Sequence, residues 1–271
     1  MRGSPLVAGI AGVAAGTAVL LTRAHRRRRR AERFAAAALE SLLRAIDAND
    51  AQTGAHVRRV ARYALIIADA LGVDENERRT IELTALFHDI GKIHEALFDI
   101  VHDHHALTAE ERRAIATHPQ RGADVLAPIA YFHEQLAEAV LAHHERWDGS
   151  GYPRGVAGRR IPRAARVVTL ADTFDAITHR RRYRDGKTAG AAAEIILAGR
   201  GTQFDPELVD LMMLPPVFAE LTRAHRQAMR PSTLRHRSNA RGSEKAPRVR
   251  IRWRTRTELP RSVREKVTRA S

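Results

Sequence analysis

The chain has 271 residues, enough for one or two domains, and 44% of them are hydrophobic, enough for a real core. There is no cysteine, which excludes disulfides, thiolate zinc sites and cysteine nucleophiles, so any metal must be held by His, Asp, Glu or water. The net charge of +15 is uneven: residues 1–33 hold eight Lys/Arg against one acid and residues 223–271 sixteen against three, which leaves 34–222 at −5. The basic character therefore lies in the two ends. A mildly acidic middle does not point to nucleic acid as a partner of the core.

Pro5 to Leu21 is small and apolar throughout, close to the lower length for spanning a bilayer, and Arg23 and Arg26 to Arg30 follow it. Positive charge after the apolar run, with only Arg2 before it, predicts a single signal-anchor helix with its C-terminal side in the cytoplasm. That places the protein in the inner (cytoplasmic) membrane as a single-pass protein with the folded part cytoplasmic. Arg26 to Ile46 predicts a linker helix with Phe34, Leu39, Leu42, Leu43 and Ile46 on one broad face.

Asp47 to Thr53 interrupts with capping residue types, and a helix from about Gly54 to Leu71 follows, with Val57, Val60, Ala64, Ala68 and Leu71 on one side. Glu77 to Asp89 predicts the next helix, stopped by Gly91. Thr108 to Glu111 is a capping box that opens another, expected to reach His118 and to be limited there by Pro119. Helical patterns continue over Gly122 to Leu126, Phe132 to His144, Ala164 to Ile177, Ala189 to Leu197 and Pro206 to Met213. No run of strand length alternates with period two, so the fold class is all-α. From about Gln227 the chain is basic with scattered prolines and serines, the composition of a disordered tail. The expected organisation is a membrane anchor with its basic flank over 1–33, a folded domain with its linker helix over 34–222, and a basic tail over 223–271.

One set of side chains stands out: His56, His88, Asp89, His118, His143, His144 and Asp172. Each lies in or at the end of a predicted helix, so a helical bundle can gather them into one cavity. The set exceeds what one metal needs and suits two divalent ions sharing a carboxylate. His143 and His144 open the stretch HHERWDGSGYP, where an apolar run passes at once into a turn-rich loop. A single helical histidine means little in a chain with fourteen of them; the set as a whole carries the inference.

In order along the chain stand DAQTGAH at 50–56, HDIGK at 88–92, HP at 118–119, HHERWDGSGYP at 143–153 and ADTFDA at 171–176. This series resembles the HD superfamily of metal-dependent phosphohydrolases, and HHERWDGSGYP resembles the signature of its HD-GYP branch. The resemblance covers about residues 45–210. It implies a helical HD-type bundle and a phosphodiesterase that hydrolyses cyclic di-GMP to linear pGpG and/or GMP with two iron or manganese ions. It implies His56, His88, Asp89, His118, His143, His144 and Asp172 as metal ligands, with Asp89 between the two ions and Lys92 on the scissile phosphate. It also implies Gly151, Tyr152 and Pro153 as the loop near the substrate, and Arg181 and Arg184 as contacts to its phosphate or guanine. A homodimer is left open.

Three departures bear on these expectations. Gln52 stands four residues before His56, where some members carry a Glu that supports a third metal, so two ions are implied. Arg182 replaces the proline of the family's R-P-Y-[RK]. The stretch Ile93 to Ala106 is unlike the family's usual sequence after HDIGK, which keeps two alternatives open: another cyclic dinucleotide or nucleotide as substrate, or a cyclic di-GMP-sensing module with little turnover.

Overall fold

The structure is a computed structural model, and it describes Arg26, Arg30, Ala31 and residues 33–48, 50–93, 108–129, 133, 135–179 and 185–229. The described residues form ten α-helices and no β-strand; a lone bridge pairs Arg200 with Phe204. The linker helix α1 covers 33–48. It is followed by α2 (Ala51–Leu71), α3 (Glu75–Phe87), a 3-10 turn (Ile90–Ile93), α4 (Ala109–Ile115) and α5 (His118–Leu126). Then come α6 (Leu136–Leu141), α7 (Arg163–Thr178), α8 (Ala189–Ala198), α9 (Pro206–Met212) and α10 (Pro215–Ala228).

Local chemistry sets the helix boundaries. Asp50 caps α2, its carboxylate accepting from the backbone N–H of Gln52 and Thr53, so the helix starts three residues before the expected Gly54. Gly72 ends it with φ 67°, in the left-handed region that glycine enters without penalty. Asp74 caps α3 through the Glu77 N–H. Thr108 and Glu111 form the expected capping box of α4.

The helix expected to reach His118 is two helices. α4 stops at Ile115, and Pro119 sits in the first turn of α5, where its missing N–H costs nothing. The proline opens a helix and does not close one. α10 is an element that the apolar pattern did not reveal, and it crosses the expected boundary at 222/223; Val217, Leu221 and Ala224 are buried along one side. Among the described residues, no helix is long and apolar enough to cross a membrane. The expected span over 5–21 and the basic tail beyond 229 lie outside the described residues.

Two apolar clusters hold the bundle. The larger joins α2, α7, α8, α9 and α10 around Tyr63, Ile67, Phe174, Ile196, Val209 and Leu221. α7 is buried on most sides, Ala164, Val167, Val168, Leu170, Ala171 and Phe174 among its covered residues, which marks a central helix. The smaller cluster packs Leu39 and Ile46 of α1 against Leu83, Phe87, Ile90, Leu126, Leu136 and Val140. Phe87 and Ile90 flank the His88–Asp89 corner, so this second core fixes the turn that carries the pair.

The corner also depends on close backbone approach. A Cβ at Gly91 would lie 2.2 Å from the His118 carbonyl oxygen and 2.7 Å from the Gly122 nitrogen. Neither atom belongs to a side chain that could swing away. Gly91→Ala is expected to cost about 2 kcal/mol from overpacking and to lower the thermal midpoint by about 4–8 °C, read by calorimetry against the parent protein.

Candidate metal centre

Three of the histidines owe their orientation to helix ends. His88 follows α3, and its Nδ1 donates to the Ala85 carbonyl at 2.9 Å. His118 follows α4, with Nδ1 on the Ile115 carbonyl at 2.7 Å. His143 follows α6, with Nδ1 on the Val140 carbonyl at 2.6 Å. The last carbonyls of a helix have no partner within it, and a carbonyl can only accept. Each ring is therefore held with its proton on Nδ1, which leaves Nε2 as a bare lone pair facing inward.

His56 is different. It lies within α2, where the carbonyls serve the helix's own ladder, and its Nδ1 meets the Asp175 carboxylate at 2.7 Å. Its Nε2 is 3.3 Å from Asp172. Asp172 and Asp175 are three residues apart and share one side of α7.

The seven expected residues converge. The ligand atoms of Asp89, His118, His143 and His144 form one group, and those of His56, His88 and Asp172 a second, each within 4.8 Å. Asp89 reaches toward both: Oδ1 is 3.3 Å from His118 Nε2 and 3.8 Å from His143 Nε2, while Oδ2 is 3.5 Å from His88 Nε2. Lys92 lies beside it, with Nζ 2.8 Å from Asp89 Oδ2.

This donor set fits divalent cations. His88 Nε2 and Asp89 Oδ1 are buried without a hydrogen bond, and such orphans are costly unless something charged answers them. The Nε2 atoms of His118 and His143 face each other at 3.1 Å although both rings carry their proton on Nδ1. Imidazole nitrogens and carboxylate oxygens without thiolate suit iron, manganese or zinc.

The electrostatics agree. Burial drives His143 well below the ordinary histidine range, with His144, His88 and His118 adding to it. Burial, then His118 and Lys92, push His144 down to about 3. Burial would raise the Asp89 carboxyl, yet Lys92, His88 and His118 outweigh it and hold it well below the usual range. For His56, burial acts downward, and the bond to Asp175 with the charges of Asp172, Asp175 and Asp89 reverses it, so this ring is raised.

The GYP loop folds back on the histidine pair. Tyr152 N–H donates to the His144 carbonyl at 3.3 Å, and its ring stacks on His144 with centroids 4.9 Å apart. A Cβ at Gly151 would lie 2.3 Å from the Arg146 nitrogen and 2.6 Å from the His144 carbonyl oxygen, so glycine is required there. Glu145 is buried and accepts from the Arg154 N–H at 2.7 Å, bracing the loop just past Pro153. Arg181, Arg182 and Arg184 lie outside the described residues, as does the stretch 94–107. Gln52 is exposed on the first turn of α2, its backbone N–H on Asp50.

Several contributors escaped sequence reasoning: Arg59, Thr169, Asp175 and His179. Thr169 Oγ1 donates to the His143 carbonyl at 2.6 Å and so ties α7 to the histidine pair. Asp175 also meets Arg59 and His179. The signal available in the sequence was spacing: His56 and Arg59 are three apart on one helix, as are Asp172 and Asp175 on another.

The model of the HD domain family matches residues 40–208. The cyclic di-GMP phosphodiesterase response regulator RpfG of Xanthomonas campestris pv. campestris is 40% identical over 177 residues, covering 65% of this chain and 46% of that protein. A 3'3'-cGAMP-specific phosphodiesterase 2 of Vibrio cholerae is 37% identical, covering 64% of this chain and 33% of its own length. A cyclic di-GMP phosphodiesterase of Thermotoga maritima is 37% identical, covering 67% and 50%. The chain thus spans half or less of the length of these curated relatives. The crystal structure of a cyclic GMP-AMP specific phosphodiesterase of V. cholerae, V-cGAP3, superposes with a TM-score of 0.50 at 24% identity, over 70% of this chain and 52% of that one, a likeness of fold. With the family model covering more than half of its length, and with His88–Asp89 and Gly151–Tyr152–Pro153 set around one cluster of candidate ligands, the chain belongs to the HD domain family.

Proposed function

We propose that the protein is a metal-dependent phosphodiesterase that hydrolyses cyclic di-GMP to linear pGpG and/or GMP in bacterial second-messenger signalling. The observation that carries this reading is Asp89, which reaches both ligand groups from one carboxylate with Lys92 at its side. Asp89, His118, His143 and His144 would hold one ion and His56, His88 and Asp172 the other, with Asp89 shared and iron or manganese the natural occupants. Two divalent ions supply Lewis acidity for water activation and for the phosphoryl oxygens.

The chain's own groups do the rest. Lys92 donates to a phosphoryl oxygen where negative charge grows. Tyr152, stacked on His144, walls the substrate side, with Gly151 and Pro153 shaping the rim, and Arg181 and Arg184 bind the second phosphate or a guanine. No side-chain nucleophile is needed, in keeping with a chain without cysteine. Residues 5–21 anchor the chain in the cytoplasmic membrane, residues 34–222 with the rest of α10 form the catalytic domain on its cytoplasmic face, and the basic tail follows.

A second substrate is favoured by one finding: relatives of comparable identity are named as specific for 3'3'-cGAMP. Anaerobically purified protein with Mn²⁺ or Fe²⁺ is expected to linearise cyclic di-GMP faster than 3'3'-cGAMP or cyclic di-AMP when the three are assayed side by side. Bound metal with no turnover of any of them would leave a sensing module as the function.

Lys92→Met is expected to keep the metal content and to lower kcat by about a hundredfold, the scale for losing one charge-stabilising donor. An unchanged kcat would remove Lys92 from the chemistry.

The depressed histidines also fix a pH dependence. His144 stays neutral in the folded metal-free chain down to about 3, and His143 is held low as well. The unfolded chain protonates histidine near about 6.5. Below that value the unfolded state binds more protons, so stability of the metal-free protein falls as the pH falls. Denaturant titrations between about pH 7.5 and 4.5 should show this decline, and His144→Gln should flatten it by about one proton.

A further inference from the structure

His88, His118 and His143 take their tautomers from backbone carbonyls in the preceding helix ends. No side-chain replacement can remove those acceptors. His56 has no such acceptor and depends on a carboxylate 119 residues away in sequence. That carboxylate is 1% exposed and fully engaged. Arg59 grips it twice, Nε on Oδ1 at 2.8 Å and Nη2 on Oδ2 at 2.9 Å, and His179 Nδ1 lies 3.2 Å from Oδ1. Arg59 is three residues after His56 on α2, so one helix supplies both the ligand and the clamp on its support.

We infer that Asp175, fixed by Arg59, is the positioning residue that holds His56 with its proton on Nδ1 and thereby sets metal affinity in the His56–His88–Asp172 half of the site alone. The inference rests on the binuclear reading given above and adds an inequality to it: His88, His118 and His143 are oriented by backbone carbonyls, whereas His56 depends on a buried side-chain clamp. An ionised carboxylate can only accept from Nδ1, which leaves Nε2 free for a cation. An amide at the same place can present its NH₂ to Nδ1 and turn the proton to Nε2, toward Asp172. Partners of this kind typically change metal affinity by about 10–100-fold when replaced.

The full-length chain, stripped of metal and titrated with Mn²⁺ under equilibrium dialysis, gives the test. The parent protein is expected to bind two ions. Asp175→Asn should bind the first with parent affinity and the second about 10–100-fold more weakly, and Asp175→Glu should recover part of the loss. Arg59→Gln keeps the carboxylate but frees it, and should weaken the second ion alone by a smaller factor. This variant carries the test if Asp175→Asn does not fold. Two ions held with parent affinity in the folded variants, or equal weakening of both, would overturn the inference. A parent protein that binds two ions but hydrolyses no cyclic dinucleotide would count against the proposed activity and leave the role of Asp175 standing.

Discussion

The unpaired carbonyls at helix C-termini are the constraint on which the site rests. A helix end leaves acceptors that need donors, and here the ends of α3, α4 and α6 are answered by imidazole Nδ1–H groups. Capping and ligand orientation are therefore one interaction. His88 directly follows α3, while His143 and His118 lie two and three residues past the ends of α6 and α4. The short helix α4 buries none of its side chains, whereas α6 buries Leu136, Ala139 and Val140. The worth of α4 to the fold lies in placing His118, and α6 also places His143.

α7 answers these helix ends from the other side. Thr169, Asp172 and Asp175 recur at three-residue intervals along it, touching the His143 carbonyl, His56 Nε2 and His56 Nδ1. Apolar residues bury the remaining faces of the helix. Carboxylates at such depth are tolerable only when their charge is met. Asp175 is met by Arg59, and Asp89 by Lys92 and the surrounding rings. Asp89 Oδ1 and His88 Nε2 remain open, two lone-pair atoms of the kind that could hold a cation.

Much of this was legible in the chain. The all-helical class followed from the period of the apolar residues, and the seven side chains that converge in the bundle were named from a motif series before their geometry was known. Pro119 was misjudged because a proline near a helix boundary suits an N-terminus as well as an end, and only the two-residue gap between α4 and α5 distinguishes them. α10 was missed because its buried face is thin: Val217, Leu221 and Ala224 are separated by Glu and Arg, and the basic tail beyond it dominates the composition. Asp175 was overlooked for a deeper reason. An Asp one turn after a ligand looks like an ordinary helix residue until the fold brings α2 alongside, and its chemistry arises wholly from contacts between residues distant in the chain.

That distance separates the two halves of the site in how they form. The group of Asp89, His118, His143 and His144 is drawn from 56 residues of chain, and the tautomers of His118 and His143 are set by carbonyls three residues back. The group of His56, His88 and Asp172 needs α2 and α7 docked, and its key hydrogen bond closes a loop of more than a hundred residues. Closing long loops costs only slowly growing entropy, but the cost must be met before the contact gives any return. The larger apolar cluster meets it, since Tyr63 of α2 and Phe174 of α7 pack edge to face at 5.1 Å, one turn beyond Arg59 and next to Asp175. The His56 position is thus a readout of the tertiary core: whatever loosens α2 from α7 releases Asp175 from His56 first, while His88, His118 and His143 keep their backbone-set orientation.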